Sequence, residues 1–391
     1  MDPISPPPVI RRDGSSKGSP SLFFRGIWRV LTLIGLLYIF LFAIALLGSA
    51  FKIFGADFSQ TLIRTTTNPV VGLMIGLLAT SLIQSSSSTT SIVVGLVAAD
   101  ALTVTNAIPI IMGANMGTTV TNTVVAMTSM NRRAEFQRAF AGATMHDFFN
   151  LMTIIVIFPL EQSTHYLEKS ATWLSHHLIS AEGFEFHSPV KAVVKPATAQ
   201  VKHLLVDSFS LPDWLAGTLM LVISLGCIFF ALTMLTKLLR QVVLRRAEGA
   251  FNNYITRNAF SAMLLGVIVT AAVQSSSITT SLLVPMIGAG IVQLEPAFAV
   301  TLGANIGTTV TALLASMAGN LAGVTVALVH LLFNISGILI FFPFRPLRMI
   351  PIRLSQFLAK KTAKRRSFAV IYMFGIFFVL PFLAVLITRA F

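Results

Sequence analysis

Two runs of hydroxyl and amide side chains hold most of the chemistry that this 391-residue chain offers. The first is Gln84-Ser85-Ser86-Ser87-Ser88-Thr89-Thr90-Ser91. The second, 190 residues later, is Gln274-Ser275-Ser276-Ser277-Ile278-Thr279-Thr280-Ser281, identical at seven of eight positions. Both are flanked by apolar sequence. An unpartnered hydroxyl or amide in hydrocarbon costs roughly 2–7 kcal/mol, so such tracts face a polar cavity or a ligand. A hydroxyl donates to the oxygen of an oxyanion and offers its own oxygen to a cation. Helix N-termini or unwound N–H groups beside the serines add fixed positive ends that suit an anion. Ser85, Ser86, Ser87, Ser275, Ser276 and Ser277 are therefore the candidate anion ligands.

A second motif follows each tract. Gly113-Ala114-Asn115-Met116-Gly117-Thr118-Thr119-Val120-Thr121 is matched at eight of nine positions by Gly303-Ala304-Asn305-Ile306-Gly307-Thr308-Thr309-Val310-Thr311. Its glycines allow close approach, and its Asn and Thr oxygens are hard ligands of the kind Na+ takes at broken helices. With the tract amides, these give Gln84, Asn115, Thr118, Thr119, Gln274, Asn305 and Thr308 as candidate cation ligands. Helix packing explains scattered small residues, but not two copies of a 38-residue frame. Further on, His146-Asp147-Phe148-Phe149-Asn150 is answered by His330-Leu331-Leu332-Phe333-Asn334. Asp147 has Leu331 as its counterpart, and a carboxylate in an apolar span marks a functional site, usually with a cation partner. Asp147, Asn150 and Asn334 join the cation set. The alternative for Asp147 is a surface position near a helix end. His146 and His330 read as packing or hydrogen-bonding residues, Asp100 as a capping residue in a turn, and Arg133 as a topology determinant.

These residues need elements that hold them in lipid. The chain is 55% hydrophobic and 11% charged, against about 25% charged in a soluble protein. Its net charge of +14 lies in basic clusters beside apolar spans, at Arg11, Arg12, Lys17, Arg25 and Arg29, at 237–246, and at 345–366. That arrangement keeps Lys and Arg in the cytoplasm and argues against nucleic acid. Residues 1–26 read as a cytoplasmic disordered tail, and 27–67 as a first crossing and an outer segment. The first repeat is 68–160. Its runs Val70–Ile83 and Ile92–Ala99 are too short to cross alone, as in re-entrant and discontinuous helices. The stretch 161–210 reads as a solvated outer linker; its histidines have irregular spacing and no cysteine beside them, which argues against zinc. Residues 211–257 give a crossing and a basic inner loop, and 258–345 the second repeat. Residues 346–391 give a basic interfacial helix, which suits anionic lipid, and a final span that leaves the C-terminus outside. One crossing between the repeats inverts them. The expected fold is an all-α polytopic membrane protein with two inverted-topology repeats of re-entrant or discontinuous helices, the architecture of secondary transporters. Cys227 is the sole cysteine, so no intramolecular disulfide forms.

Three features together resemble the type II sodium–phosphate cotransporter family: the two tracts, Met112-Gly113-Ala114-Asn115, and the run Arg138-Ala139-Phe140-Ala141-Gly142-Ala143-Thr144-Met145-His146-Asp147-Phe148-Phe149-Asn150. The similarity spans about 68–160 and 258–345. It implies Na+-coupled symport of inorganic phosphate into the cell across the plasma membrane (the inner membrane in a bacterium), with Na+ as coupling ion and no other cofactor. It also implies that both Gln-Ser-Ser-Ser tracts form the phosphate and ion sites. Electrogenic members carry an aspartate at the position of Asp147, tied to an additional sodium site. Vertebrate members have a long, glycosylated, disulfide-bonded loop, whereas 161–210 holds neither cysteine nor sequon, which fits a compact, bacterial-type member. The competing readings are a carrier or exporter of another oxyanion, a channel, and an intramembrane serine hydrolase. The last lacks a Gly-x-Ser-x-Gly elbow, and its serines come in doubled tracts rather than as one nucleophile with a base.

Overall fold

The computed structural model describes residues 20–179, 189–254 and 258–390. Most of the expected N-terminal tail, part of the 161–210 stretch and the end of the basic inner loop therefore lie outside the described residues. The described residues are helical, with no strand. The chain opens with α1 (Pro20–Phe54), α2 (Ala56–Thr66), α3 (Pro69–Ile83) and α4 (Ser86–Ala98). It continues through α5 (Val104–Gly117), α6 (Val120–Met127), α7 (Arg133–Thr164), α8 (Tyr166–Ile179), α9 (Pro189–His203) and α10 (Asp213–Tyr254). The second half holds α11 (Ala259–Val273), α12 (Ser276–Gly288), α13 (Leu294–Ser316), α14 (Leu321–Phe341), α15 (Arg345–Lys364), α16 (Ser367–Phe374) and α17 (Leu380–Ala390).

Among the described residues, six helical segments are long and apolar enough to cross a bilayer: Gly26–Phe54, Arg133–Thr164, Asp213–Arg240, Leu294–Ser316, Leu321–Phe341 and Ser367–Thr388. A seventh arises if Asp57–Thr66 and Pro69–Ile83, bent by 97°, count as one span. At about 1.5 Å per residue, α4, α11 and α12 reach only part of the way.

Local chemistry sets the helix ends. Asn68 caps α3 by accepting from the N–H of Val70, and Asn258 caps α11 by accepting from Ser261. Asp100 does not cap α5. It takes the left-handed conformation (φ 60°) in the turn after α4, where Gly290 (φ 80°) stands in the second copy, and Thr103 caps α5 instead. A short polar Asp tolerates that backbone.

Glycines bring the helices of each copy into contact. A methyl built on Gly76 would overlap the carbonyl of Ile110, and one on Gly113 that of Leu73, which locks α3 on α5. Gly266 against Val300 and Gly303 against Met263 repeat the arrangement between α11 and α13. The halves also meet reciprocally. Gly319 and Gly323, at the α13–α14 turn, pack on Ala98 at the end of α4, while Gly288, at the end of α12, packs on Glu135 and Ala139 at the start of α7. The 161–210 stretch, expected as a solvated linker, is helical where described. α8 packs on α14 through Ser175–Thr325 (3.0 Å) and Tyr166–Ser336 (3.1 Å) hydroxyl pairs. α15 rests on α7 through buried Ile352, Ser355 and Ala359, and exposes Arg353, Lys360, Lys361 and Lys364.

Candidate functional site

Each tract begins where a helix is broken. α3 ends at Gln84, left-handed at φ 60°, whose N–H donates to Thr80 O at 2.7 Å. Ser85 is extended and caps α4 by accepting from the N–H of Ser88 at 3.2 Å. The second copy repeats this at Gln274 (φ 59°, N–H to Thr270 O, 2.7 Å) and Ser275, which accepts from Ile278. The left-handed glutamine costs about 1–2 kcal/mol, and its side chain holds it in place. Gln84 Nε2 donates to Ser81 O, and Gln84 Oε1 accepts from the Thr121 hydroxyl at 2.9 Å. Gln274 does the same with Ala271 O and the Thr311 hydroxyl, at 2.8 Å for the latter. Both glutamines, expected as Na+ ligands, thus already hold the breaks closed.

The two breaks meet. Ser87 Oγ donates to the backbone carbonyl of Gln274 at 3.3 Å, across 187 residues. Gln84, Ser85, Ser87, Gln274 and Ser275 line one cavity of about 340 Å³, with the N-termini of α4 and α12 opening onto it. Ser86, Ser276 and Ser277 are buried beside it and are not among its lining residues.

The asparagines form one buried network. Asn115 Nδ2 donates to Asn334 Oδ1 (2.9 Å) and Asn150 Oδ1 (3.4 Å), and Asn305 Nδ2 donates to Asn150 Oδ1 (3.1 Å). Asn150 and Asn334 complete it by donating to the carbonyls of Asn115 and His330. Of the threonines, Thr118, Thr119 and Thr308 donate to carbonyls of their own helical turns, which leaves each hydroxyl oxygen as an acceptor. The copies differ here: the helix is interrupted by a turn at Thr118–Thr119, whose backbone stays in the right-handed helical region, while α13 runs unbroken through Thr308–Thr309. Asp147 is 2% exposed and accepts from the Tyr372 hydroxyl on α16 at 2.7 Å through Oδ2; its Oδ1 is buried without a hydrogen bond. Asp147 is therefore no surface position, and it lies outside the asparagine network that Asn150 joins.

This geometry accompanies a clear relationship to known proteins. Residues 39–168 and 227–380 match the Na+/Pi-cotransporter family. The chain belongs to that family. It is 35% identical to sodium-dependent phosphate transport protein 2B of Homo sapiens, over 94% of this chain and 66% of that protein. It is likewise 35% identical to sodium-dependent phosphate transport protein 2A of Rattus norvegicus, over 93% of this chain and 68% of that protein. The chain spans about two thirds of the length of these curated relatives. No solved structure matches it.

The Na+/Pi-cotransporter match takes in both tracts, all four network asparagines and Asp147, and it omits 169–226, where α8 ends and α9 lies. Sequence reasoning missed several residues inside it. Thr121 and Thr311 belong to the repeated motif, and their constant 37-residue distance from Gln84 and Gln274 was the available signal. Asn122 Oδ1 accepts from the hydroxyls of Thr280 (2.9 Å) and Ser281 (3.2 Å) on α12; its counterpart is Ala312, so the repeat hides it. Tyr372 lies outside both repeats, and no spacing points to it. Glu161, His165 and Glu168 bring three ligand atoms within 4.8 Å of one another, the one such group among the described residues. Both Glu161 oxygens accept N–H groups at the start of α8, Leu167 and Glu168. The group thus caps a positive helix end, a poor place for a cation.

Proposed function

We propose that this protein is a secondary active transporter that carries inorganic phosphate into the cell together with Na+, by alternating access between two inverted repeats. The observation that carries the reading is the meeting of the two tracts in one cavity, bridged by the Ser87 hydroxyl. Family membership and the names of the relatives support phosphate and sodium as the solutes. Ser85, Ser87 and Ser275 face the cavity and bind phosphate, with Ser86, Ser276 and Ser277 packed behind them. Hydroxyls and two helix N-termini give donors to a partly protonated oxyanion without fixing its charge. Na+ takes side-chain oxygens of the buried asparagine network and its neighbouring threonines, from Asn115, Asn150, Asn305, Asn334, Thr118, Thr119 and Thr308, with Asp147 at a further site. The glutamine amides hold the breaks rather than strip an ion of its water. The reciprocal fit of α4 on the α13–α14 turn and α12 on the start of α7 supports inversion in the membrane. The protein then sits in the plasma membrane with its N-terminus in the cytoplasm.

Radiolabelled phosphate uptake into proteoliposomes tests this. Uptake is expected to require an inward Na+ gradient and to be competed by arsenate, a close tetrahedral analogue, more than by sulfate. Equal uptake in choline and sodium buffers would end the symport reading.

A further inference from the structure

The cavity that joins the tracts is also lined by a helix that belongs to neither repeat. α10 presents Thr233, Thr236, Lys237 and Arg240 to it. These positions lie three and four residues apart, so they share one helix face. Among the described residues, no acidic side chain lines the cavity. Lys237 and Arg240 are both exposed, and among the described residues neither makes an ion pair or hydrogen bond. Two cations without partners, two hydroxyls and two helix N-termini thus converge on one space, and all of them favour an anion. The apolar span of α10 ends at Arg240, and the basic run from Lys237 onward belongs inside by the charge rule.

We infer that Lys237 and Arg240 bind phosphate on the inner half of its path, and that this cavity is its cytoplasmic mouth. The inference rests on the tracts being the phosphate site. At the tracts the anion meets neutral hydroxyls, and its charge is offset by co-bound Na+. Once Na+ departs, an oxyanion among neutral groups needs another counter-charge. Arg240 supplies a planar fork that holds two phosphate oxygens at once, and Lys237 a mobile point charge. Thr233 and Thr236 add hydroxyls one helical turn deeper. The plainer reading is that both cations only fix topology against lipid headgroups. That role needs no opening toward the tracts and no threonines on the same face.

Sided membrane vesicles, right-side-out and everted, separate the two. Phosphate half-saturation is measured at each face for the wild type, the double variant Lys237→Gln/Arg240→Gln and the conservative pair Lys237→Arg/Arg240→Lys. The double variant is expected to raise half-saturation at the inner face about tenfold, the scale of one lost charge-assisted contact, and to change the outer face less than about twofold. The charge-preserving pair is expected to fall between the wild type and the glutamine variant at the inner face, since both charges stay while the fork is displaced, and the salt dependence at that face is expected to weaken only in the glutamine variant. An unchanged inner face in a working symporter would overturn the inference alone. An equal loss at both faces would also overturn it, by showing a structural role. A wild type that carries phosphate without Na+ would instead remove the symport reading beneath it.

Discussion

Asp147 keeps one oxygen against Tyr372 and leaves the other buried without a donor. A carboxylate so placed is stabilised by a cation, and a protein charge in the membrane field makes a cycle sensitive to voltage, at about 2.3 kcal/mol per elementary charge per 100 mV. Asp147→Asn keeps the shape and removes the charge. It is expected to lower the number of Na+ coupled per phosphate and the phosphate-evoked current while leaving some uptake. Current and uptake recorded on the same variant check this, and an unchanged charge-to-phosphate ratio would make Asp147 a structural acid. The serines give a second test. Ser87→Ala removes both a cavity hydroxyl and the bond to Gln274, and Ser275→Ala removes a cavity hydroxyl of the second tract that also caps α12. Each is expected to cut phosphate transport about tenfold or more, the scale of losing a hydrogen bond to a charged ligand, with surface expression retained. Normal transport by either would break the single-site reading for that repeat. Asp147 was legible in the sequence because it departs from the repeat. Tyr372 was not, because a partner on a helix outside the repeats leaves no trace in spacing.

Between helices, the glycine contacts set the tolerance. A methyl on Gly113 or Gly303 would meet a backbone carbonyl, which has no rotamer with which to retreat. Overpacking in cores costs about 1–3 kcal/mol even where side chains adjust. Gly113→Ala and Gly303→Ala are therefore each expected to lower the melting temperature in detergent by several degrees, read by a thermal-shift assay. Gly226→Ala, with open space around it, serves as the neutral control. The short runs at 70–83 and 92–99 announced interrupted helices, and these are α3 and most of α4. The break after Gly117, set against the unbroken α13, was not legible, since the two motifs differ at one residue, Met116 against Ile306. Nor was the docking of α8: the charge of 161–210 signals water, while the contact rests on Ser175 and Tyr166 finding hydroxyls on α14.

For the molecule as a whole, inversion makes a sided prediction. Cys227 is the sole cysteine, so a Cys227→Ala background permits single-cysteine labelling. Gln60→Cys lies just before the first repeat, and Gln293→Cys in the α12–α13 turn of the second; both positions are exposed, and Gln293 makes no capping bond. An impermeant maleimide is expected to label Gln60→Cys from outside intact cells and Gln293→Cys only after permeabilisation. Labelling of both from one side would rule out the inverted arrangement. The repeat itself was readable from the constant 190-residue offset between Asn68 and Asn258 and between the tracts. The part of α10 was not, since a connecting helix announces only its hydrophobicity and its basic end.

Near the tracts, the two halves are joined by hydrogen bonds between uncharged groups, among them Ser87 to Gln274, Asn122 to Thr280 and Ser281, Asn115 to Asn334 and Asn305 to Asn150. Each such bond trades for one with water at a net of about 0.5–1.5 kcal/mol. A seam of this kind parts and closes cheaply, and it builds in no preferred direction. Net flow then belongs to the gradients rather than to the protein. Vesicles preloaded with Na+ and phosphate, and placed in a medium free of both, would run the machine backwards.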